Sequence, residues 1–587
     1  MGIKGLKTYI THTEKEISER INIIEEVQRW SIDHEGKQPT IIIDLKELPH
    51  TLGAKDEIGI ILGGRYKKYN AMIKRFLDQL KLINARLVFF SVGKKLNDTT
   101  EIFILNNEKK YVKYLSLLDE IENGNELSGY LRNKNKFVPD IRMTLPIDFN
   151  LNKICRQYGE LNVTYVCHNK EIADFISKNT DEILAIITND TDFLAFDGDF
   201  QFWSALDLHL TKLDCVRYCK IKLRSKLNLN QKQFHLVSAL SGHDYLPREY
   251  VEPFWSKLAE EYGKKGPRIE NLARYVRDQP MLQKGLRSND IVYDVKRISQ
   301  DVFGDNFSEE QLNGILNVLK YYGSSVGKTS IEKDPFLRFC KTNNAFMYKL
   351  ATDTVYNIRD IEYIDYRNYK SKNYAELIVP VLMKMYGILH KDDRLKPRTR
   401  IICMKFAHDE PSKLVHANVI YPSMKLPPLF DLIFKLKENR FENDRWTLLS
   451  WLLDLDSSFI NQLRSSKMSK NFKVVIMTLK YMLQQEEISI DEANSIILTE
   501  YRVTVERVPN SINPIAPNVQ FIRLAHLYTK LYVLINHCFD ICGQHGLTDL
   551  IHFDGAIFHN IMDDLHNSKG NPNMEDFSKI KKIWMFT

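Results

Sequence analysis

Four short apolar runs, each separated from the next by a longer stretch, constrain this chain more than any other feature. "TIIIDL" (Thr40–Leu45), "ARLVFFSVG" (Ala85–Gly93), "LNVTYVCH" (Leu161–His168) and "EILAIIT" (Glu182–Thr188) are too short for helices and rich in β-branched residues, and so read as buried strands. Between the first two, Tyr69, Met72, Ile73, Phe76, Leu77 and Leu80 recur at helical spacing. Strands alternating with helices predict a parallel sheet covered on both faces. Sites in such sheets form beyond the carboxyl ends of the strands, and Asp44, Asp190 and Asp192 fall there.

The fourth run continues as "IITNDTDFLAF", placing Asp190 and Asp192 one residue apart against apolar sequence. Two carboxylates so close repel each other unless a cation or hydrogen bonds hold them. A turn or a capped helix start is the plainer account of such a pair. Asp44 ends an apolar strand, and Asp244 follows an apolar run and a glycine in "LVSALSGHDYLP". A charge after buried residues needs a compensating partner. Four aspartates in such settings could converge on Mg2+ or Mn2+, hard ions that take oxygen ligands, and a metal pair of this kind would support phosphodiester hydrolysis.

"MGIKGL", "IIID", "TNDTDFLAF" and "LSGHDYLP" resemble, in order and spacing, the motifs of the XPG/flap-endonuclease superfamily of PIN-like nucleases. "LGGRYKKY" (Leu62–Tyr69) and the large helical second half look closest to its Asteroid branch. The resemblance covers about residues 1–280. It implies an α/β N-terminal PIN-like domain of flap-endonuclease type with a central parallel sheet, followed by a mainly α-helical region. It also implies metal ligation by Asp44, Asp190, Asp192 and Asp244, directly or through water, with Mg2+ or Mn2+ as cofactor.

The chain departs from the family in two places. Val92 of "FFSVG" stands where the family carries an aspartate before the glycine. The acidic pair at the start of the next helix is displaced: "CHNKEIAD" offers Glu171 and Asp174, three apart and on one helix face. Either they join the metal site, or they are ordinary first-turn acids following an Asn169 cap. Fewer carboxylates mean weaker cation binding.

For strand binding the resemblance implies Gly2, Lys94 and the lysines of "NNEKKYVKYL" (Lys109, Lys110 and Lys113). It also points to Lys264, Lys265 and Arg268 of "YGKKGPRIENLARYVR", which looks like a reduced helix–hairpin–helix element. A solvated helix face is the plainer account of Lys109, Lys110 and Lys113, and a simple basic turn accounts equally well for Lys264, Lys265 and Arg268. "KDDRLKPRTR" (Lys391–Arg400) adds a further basic stretch.

From about residue 250 helical patterns dominate, with capping boxes expected at Ser308/Gln311 and Ser489/Glu492. The expected domains are 1–285 and 286–587, the second divisible at the proline-rich connector near 508–519. "GSSVGKTS" has one residue too few between its glycines for a P-loop and follows a helix. Cys538 and Cys542, and likewise Cys215 and Cys219, read as packing cysteines.

The net charge of +7 over 587 residues permits a nucleic-acid partner without requiring one. Eight scattered cysteines without a secretory signal, and no membrane-length apolar run, predict an intracellular protein, nuclear ahead of cytoplasmic. Leu6 breaks the myristoylation pattern that Gly2 would open. Two functions follow. One is a metal-dependent, structure-selective or single-strand nuclease acting on DNA first and RNA second, as in DNA repair. The other is a catalytically impaired PIN-like nucleic-acid-binding or scaffold protein in post-transcriptional regulation, its helical half receiving a protein partner.

Overall fold

The computed structural model describes residues 2–53, 56–93, 112, 114–124, 145–165, 167–263, 267–279, 288–323, 333–358, 364, 372, 374–393, 396–404, 413–435, 439–505 and 517–567. Lys94, Lys109, Lys110, Lys113, Lys264 and Lys265 lie outside them, as do "SSVGKTS" and most of the 508–519 connector. The chain forms two compact units. The first comprises Met1–Thr51, Arg75–Lys95 and Tyr158–Ile331, and the second Leu52–Lys74, Leu96–Gln157 and Glu332–Thr587.

The first unit is built on a seven-stranded sheet of β1 (Ser18–Asn22), β2 (Thr40–Asp44), β3 (Arg86–Val92), β4 (Glu160–Thr164), β5 (Ile183–Thr188), β6 (Gln201–Ser204) and β7 (Asp214–Tyr218). The spatial order is β1-β7-β6-β5-β2-β3-β4. β6, β5, β2, β3 and β4 run parallel, with β4 at one edge of the sheet, while β7 and β1 add antiparallel strands at the other. The four expected strands are all present. β1, β6 and β7 carried no comparable signal because "SERIN", "QFWS" and "DCVRY" mix polar and apolar residues over four or five positions. The sheet is therefore mixed rather than wholly parallel.

Every residue of β2 and β5 is buried, as expected for central strands covered on both faces. Ile42, Val88, Ile186 and Phe202 share a core with Phe234, Leu240, Leu272, Ile315 and Val318, which come from helices Gln231–Leu240, Arg268–Arg277 and Glu309–Gly323. The last helix opens on the expected capping box: Gln311 Oε1 accepts from the Ser308 N–H at 2.8 Å, and the Gln311 N–H donates to Ser308 Oγ at 3.2 Å. From β2 the chain steps outward through β3 to β4. It then returns across β2 to β5 and runs the other way. The strand order thus reverses between β2 and β5, and that reversal opens a crevice at their carboxyl ends.

The second unit is largely helical. Tyr374–Leu389, Lys470–Gln484, Ile490–Val505 and Gly555–Asn567 accompany Val519–Ile541. Val519–Ile541 is buried almost all round, which makes it an interior helix. Two of its buried polar side chains are held within the unit: Arg523 pairs with Glu487 at 3.1 Å, and Tyr528 donates to Glu500 at 2.9 Å. Gly63 of the "LGG" motif has φ +108°, and a Cβ there would lie 2.5 Å from Ala525 Cβ. The close approach of that turn to the interior helix requires glycine. A small sheet completes the unit, with β8 (Val355–Asn357) parallel to β9 (Thr399–Met404) and β9 antiparallel to β10 (Lys413–Asn418). Among the described residues no helix is long and apolar enough to cross a membrane.

Candidate acidic site at the strand reversal

Asp44 ends β2, and Asp190 and Asp192 follow β5 on a short 3-10 turn, so the sheet brings all three to the crevice. Each is buried. Asp44 Oδ1 accepts from the Lys46 backbone N–H at 3.0 Å and faces His168 Nε2 at 2.9 Å, while Oδ2 accepts from Thr188 Oγ1 at 2.8 Å. Asp190 Oδ2 accepts from Asn169 Nδ2 at 2.9 Å and lies 3.4 Å from Lys46 Nζ. Asp190 Oδ1 accepts from the Asp192 N–H at 3.3 Å. Asp192 accepts from Tyr322 OH at 2.8 Å on one oxygen, and from Asn169 Nδ2 at 3.2 Å and Tyr321 OH at 3.3 Å on the other.

The electrostatics follow from these partners. Burial pushes the Asp44 carboxyl up, but the His168 charge and hydrogen bond, Lys46 and Thr188 outweigh it and hold the pKa below the usual range. Asp190 is likewise lowered: burial is overcome chiefly by the Lys46 ammonium, to which the Asn169 amide adds a smaller share. Asp192 goes the other way, to about 6, through burial and the neighbouring Asp190 charge, against His243 and Tyr322. Lys46 is raised: burial is outweighed by Asp190, Glu47 and Asp44.

The helix His168–Lys178 supplies the contacts from the other wall. It starts at His168, one residue before the Asn169 cap expected from sequence. Asn169 therefore lies inside the first turn and presents its amide to two carboxylates. Its Nδ2 must face them, which leaves Oδ1 a buried acceptor without a donor. His168 is fixed from behind by Thr164 Oγ1, 2.8 Å from Nδ1. Glu171 points elsewhere: its Oε1 accepts the backbone N–H groups of Tyr165 at 2.8 Å and Cys167 at 3.1 Å, closing the loop before the helix. Asp174 acts on Lys170 electrostatically, one turn further along. The helix start thus contributes an imidazole and an amide to the cluster, in place of the carboxylates expected of Glu171 and Asp174.

Asp244 stands exposed beside the cluster and acts on Asp192 through its charge. Val92 ends β3, paired in register with Thr164. Gly2 has φ +123°, and a Cβ there would come within 2.8 Å of Asp190 Oδ1 and 2.6 Å of Thr191 Oγ1, so the N-terminal turn lies directly against the pair. Arg268 stacks its guanidinium 3.9 Å from the Trp255 ring and donates to the Lys4 carbonyl. With Glu252 and Asn271 it lines a surface cavity of about 210 Å³.

Lys46, His168, Asn169, Tyr321 and Tyr322 were not legible as site residues. Lys46 and Asn169 carried no motif, and the tyrosines arrive from a helix distant in sequence. The donor set does not suit a divalent cation. Mg2+ and Mn2+ need several open oxygen ligands, whereas these carboxylate oxygens already face N–H and O–H donors and an ammonium. Among the described residues no three His, Cys, Asp or Glu side chains are placed to hold one ion.

No family model matches the chain. Over 292 residues it is 22% identical to the constitutive coactivator of peroxisome proliferator-activated receptor gamma of Bos taurus, covering 49% of this chain and 40% of that protein. The Mus musculus counterpart is 23% identical over 285 residues, covering 47% and 34%. The match therefore spans well under half the length of these relatives. Among solved structures, the catalytic core of Rad2 in complex with DNA substrate aligns with a TM-score of 0.28 at 13% identity, covering 57% of this chain and 90% of that one. Human GEN1 in complex with Holliday junction DNA aligns with 0.27 at 13%, covering 56% and 81%.

Proposed function

We propose that this chain is a PIN-like nucleic-acid-binding regulator in which the acidic crevice of a nuclease-type fold serves without metal and without cleavage. One observation carries the reading: Asp44, Asp190 and Asp192 are each compensated by protein donors, with Lys46 where a cation would otherwise be needed. A catalytic cluster keeps oxygens open for metal and substrate. This one is closed by hydrogen bonds, as a structural network is. The sequence resemblance to nucleases supports a nucleic-acid partner, and by that resemblance Gly2 and Arg268 would contact it. The coactivator name carried by the similar chains agrees with a regulatory role exercised through a protein partner.

The nuclease reading draws on a different fact: the three aspartates do converge at the strand reversal, where α/β sheets place their sites. One experiment separates the two. Labelled single-stranded, flap and hairpin DNA and matching RNA are offered to the protein with Mn2+, with Mg2+ and with EDTA, reading binding by anisotropy and cleavage on gels. The expected result is binding that survives EDTA, with no products. Cleavage by the wild type that disappears in Asp190→Asn/Asp192→Asn, a pair that keeps side-chain shape, would overturn the regulator reading in favour of the nuclease.

A further inference from the structure

The second unit holds a polar cluster unrelated to the acidic crevice. It centres on Arg400, the second residue of β9, whose backbone pairs with Ala417 of β10. Arg400 is only 7% exposed, and its Nε and Nη2 have no hydrogen-bond acceptor. Burial holds its guanidinium below the usual range, although Tyr386 and the Asp353 charge pull it back up. A buried guanidinium with two N–H-bearing nitrogens unused is costly, and the cost is offset when an acceptor arrives.

The surroundings indicate what that acceptor is. Arg400 Cζ lies 4.8 Å from the centre of the Tyr386 ring. His390 tilts against the same ring at 4.2 Å, with its Nδ1 on Asp393 and its buried Nε2 unpartnered. Lys396 is exposed, and its Nζ stands 5.2 Å from the ring of half-buried Tyr421, whose hydroxyl donates to the Pro397 carbonyl at 2.9 Å. A planar fork of unused N–H donors suits a phosphate oxyanion better than a single charge does. Aromatic rings interleaved with cations suit a strand that offers bases as well as phosphates.

We propose that Arg400 and Lys396 receive a phosphate of single-stranded nucleic acid, with Tyr421 as the ring on which the adjoining base stacks. The inference rests on the nucleic-acid reading above and deepens it, giving the helical unit a strand contact of its own at Lys396, Arg400 and Tyr421.

The test is fluorescence anisotropy of the full chain with labelled single-stranded DNA and RNA of about 12 nucleotides, with inorganic phosphate and a phosphoserine peptide as competitors. Arg400→Met is expected to weaken strand binding about tenfold, the scale of a charge-assisted hydrogen bond. Lys396→Ala should flatten the salt dependence by about one unit of slope, and Tyr421→Leu should weaken strands while leaving phosphate competition unchanged. Circular dichroism checks the fold of Arg400→Met, and the surface change Lys396→Ala gives an answer independent of it. Strands bound equally by wild type and both basic variants would overturn this site and leave the nucleic-acid reading standing. No strand binding by the wild type would overturn both. Displacement by the phosphoserine peptide, with no preference for strands, would reassign the cluster to a protein partner.

Discussion

Lys46 reaches two aspartates at once: its backbone N–H donates to Asp44 Oδ1 at 3.0 Å, and its ammonium lies 3.4 Å from Asp190 Oδ2. It stands two residues beyond the end of β2, so the strand fixes its backbone contact while the side chain turns to the neighbouring strand's aspartate. A carboxylate cluster at a strand reversal needs positive charge. Here the chain carries that charge covalently.

If Lys46 supplies the charge, metal has nothing to add. The melting temperature of the wild type should be the same in Mn2+, Mg2+ and EDTA. Lys46→Met leaves buried carboxylates uncompensated and should cost about 2–3 kcal/mol, below the full loss for a buried pair because part of the lysine reaches solvent. The variant should then gain stability from Mn2+, read by urea melts with and without the ion. A wild-type melting point that rises by several degrees in Mn2+ would refute the substitution of lysine for metal.

Asn169 bridges Asp190 and Asp192 by donating to both. Asn169→Asp replaces the donor with a third carboxylate at nearly the same volume. Like charges at this separation cannot all ionise without help. The variant should melt well below wild type in EDTA and recover most of the loss in Mn2+, by the linkage of folding to binding. Equal melting in the two buffers would mean that the third carboxylate takes up a proton and creates no cation site.

Tyr322→Phe tests the hydrogen bond to Asp192 through pH. Asp192 has its folded pKa raised to about 6 from 3.8, so its contribution to stability is present below the lower value and lost as pH rises through the upper one. Removing the Tyr322 donor harms the ionised form most. The cost should be about 1–3 kcal/mol at about pH 8 and smaller near pH 5. Urea melts at both pH values give the comparison, and a cost independent of pH would assign Tyr322 to packing alone.

The central strands were legible because their signal is local. "TIIID" and "EILAIIT" are buried on both faces and must be apolar throughout, and the aspartates at their ends stood out against that background. β1 and β7 were not, since they are only partly covered and tolerate charge. The site was legible as a set of acids and illegible as a network. Tyr321 and Tyr322 reach Asp192 from a helix more than a hundred residues away, and no spacing rule connects them. Asn169 read as a cap because asparagine before a helical run usually is one. The helix instead starts at His168 with Cys167 at the cap position, two residues earlier, turning a capping side chain into a bridging one.

Glu500 makes the stability of the second unit depend on pH. It is fully buried on helix Ile490–Val505, accepts from Tyr528 OH at 2.9 Å, and has its pKa raised to about 7 from 4.5, chiefly by burial. The folded state therefore holds its proton more tightly than the unfolded chain does. The resulting stability is full below about pH 4.5 and lost as pH rises through about 7. Glu500→Gln mimics the protonated acid at every pH. Relative to wild type the variant should gain stability steadily across that window, by about 3 kcal/mol in all, following the separation of the two pKa values. Chemical denaturation of both proteins from about pH 4.5 to pH 8 measures the difference directly, which cancels the titration of the buried histidines common to both. A difference that stays flat with pH would show that Glu500 is ionised in the fold, with Tyr528 compensating it.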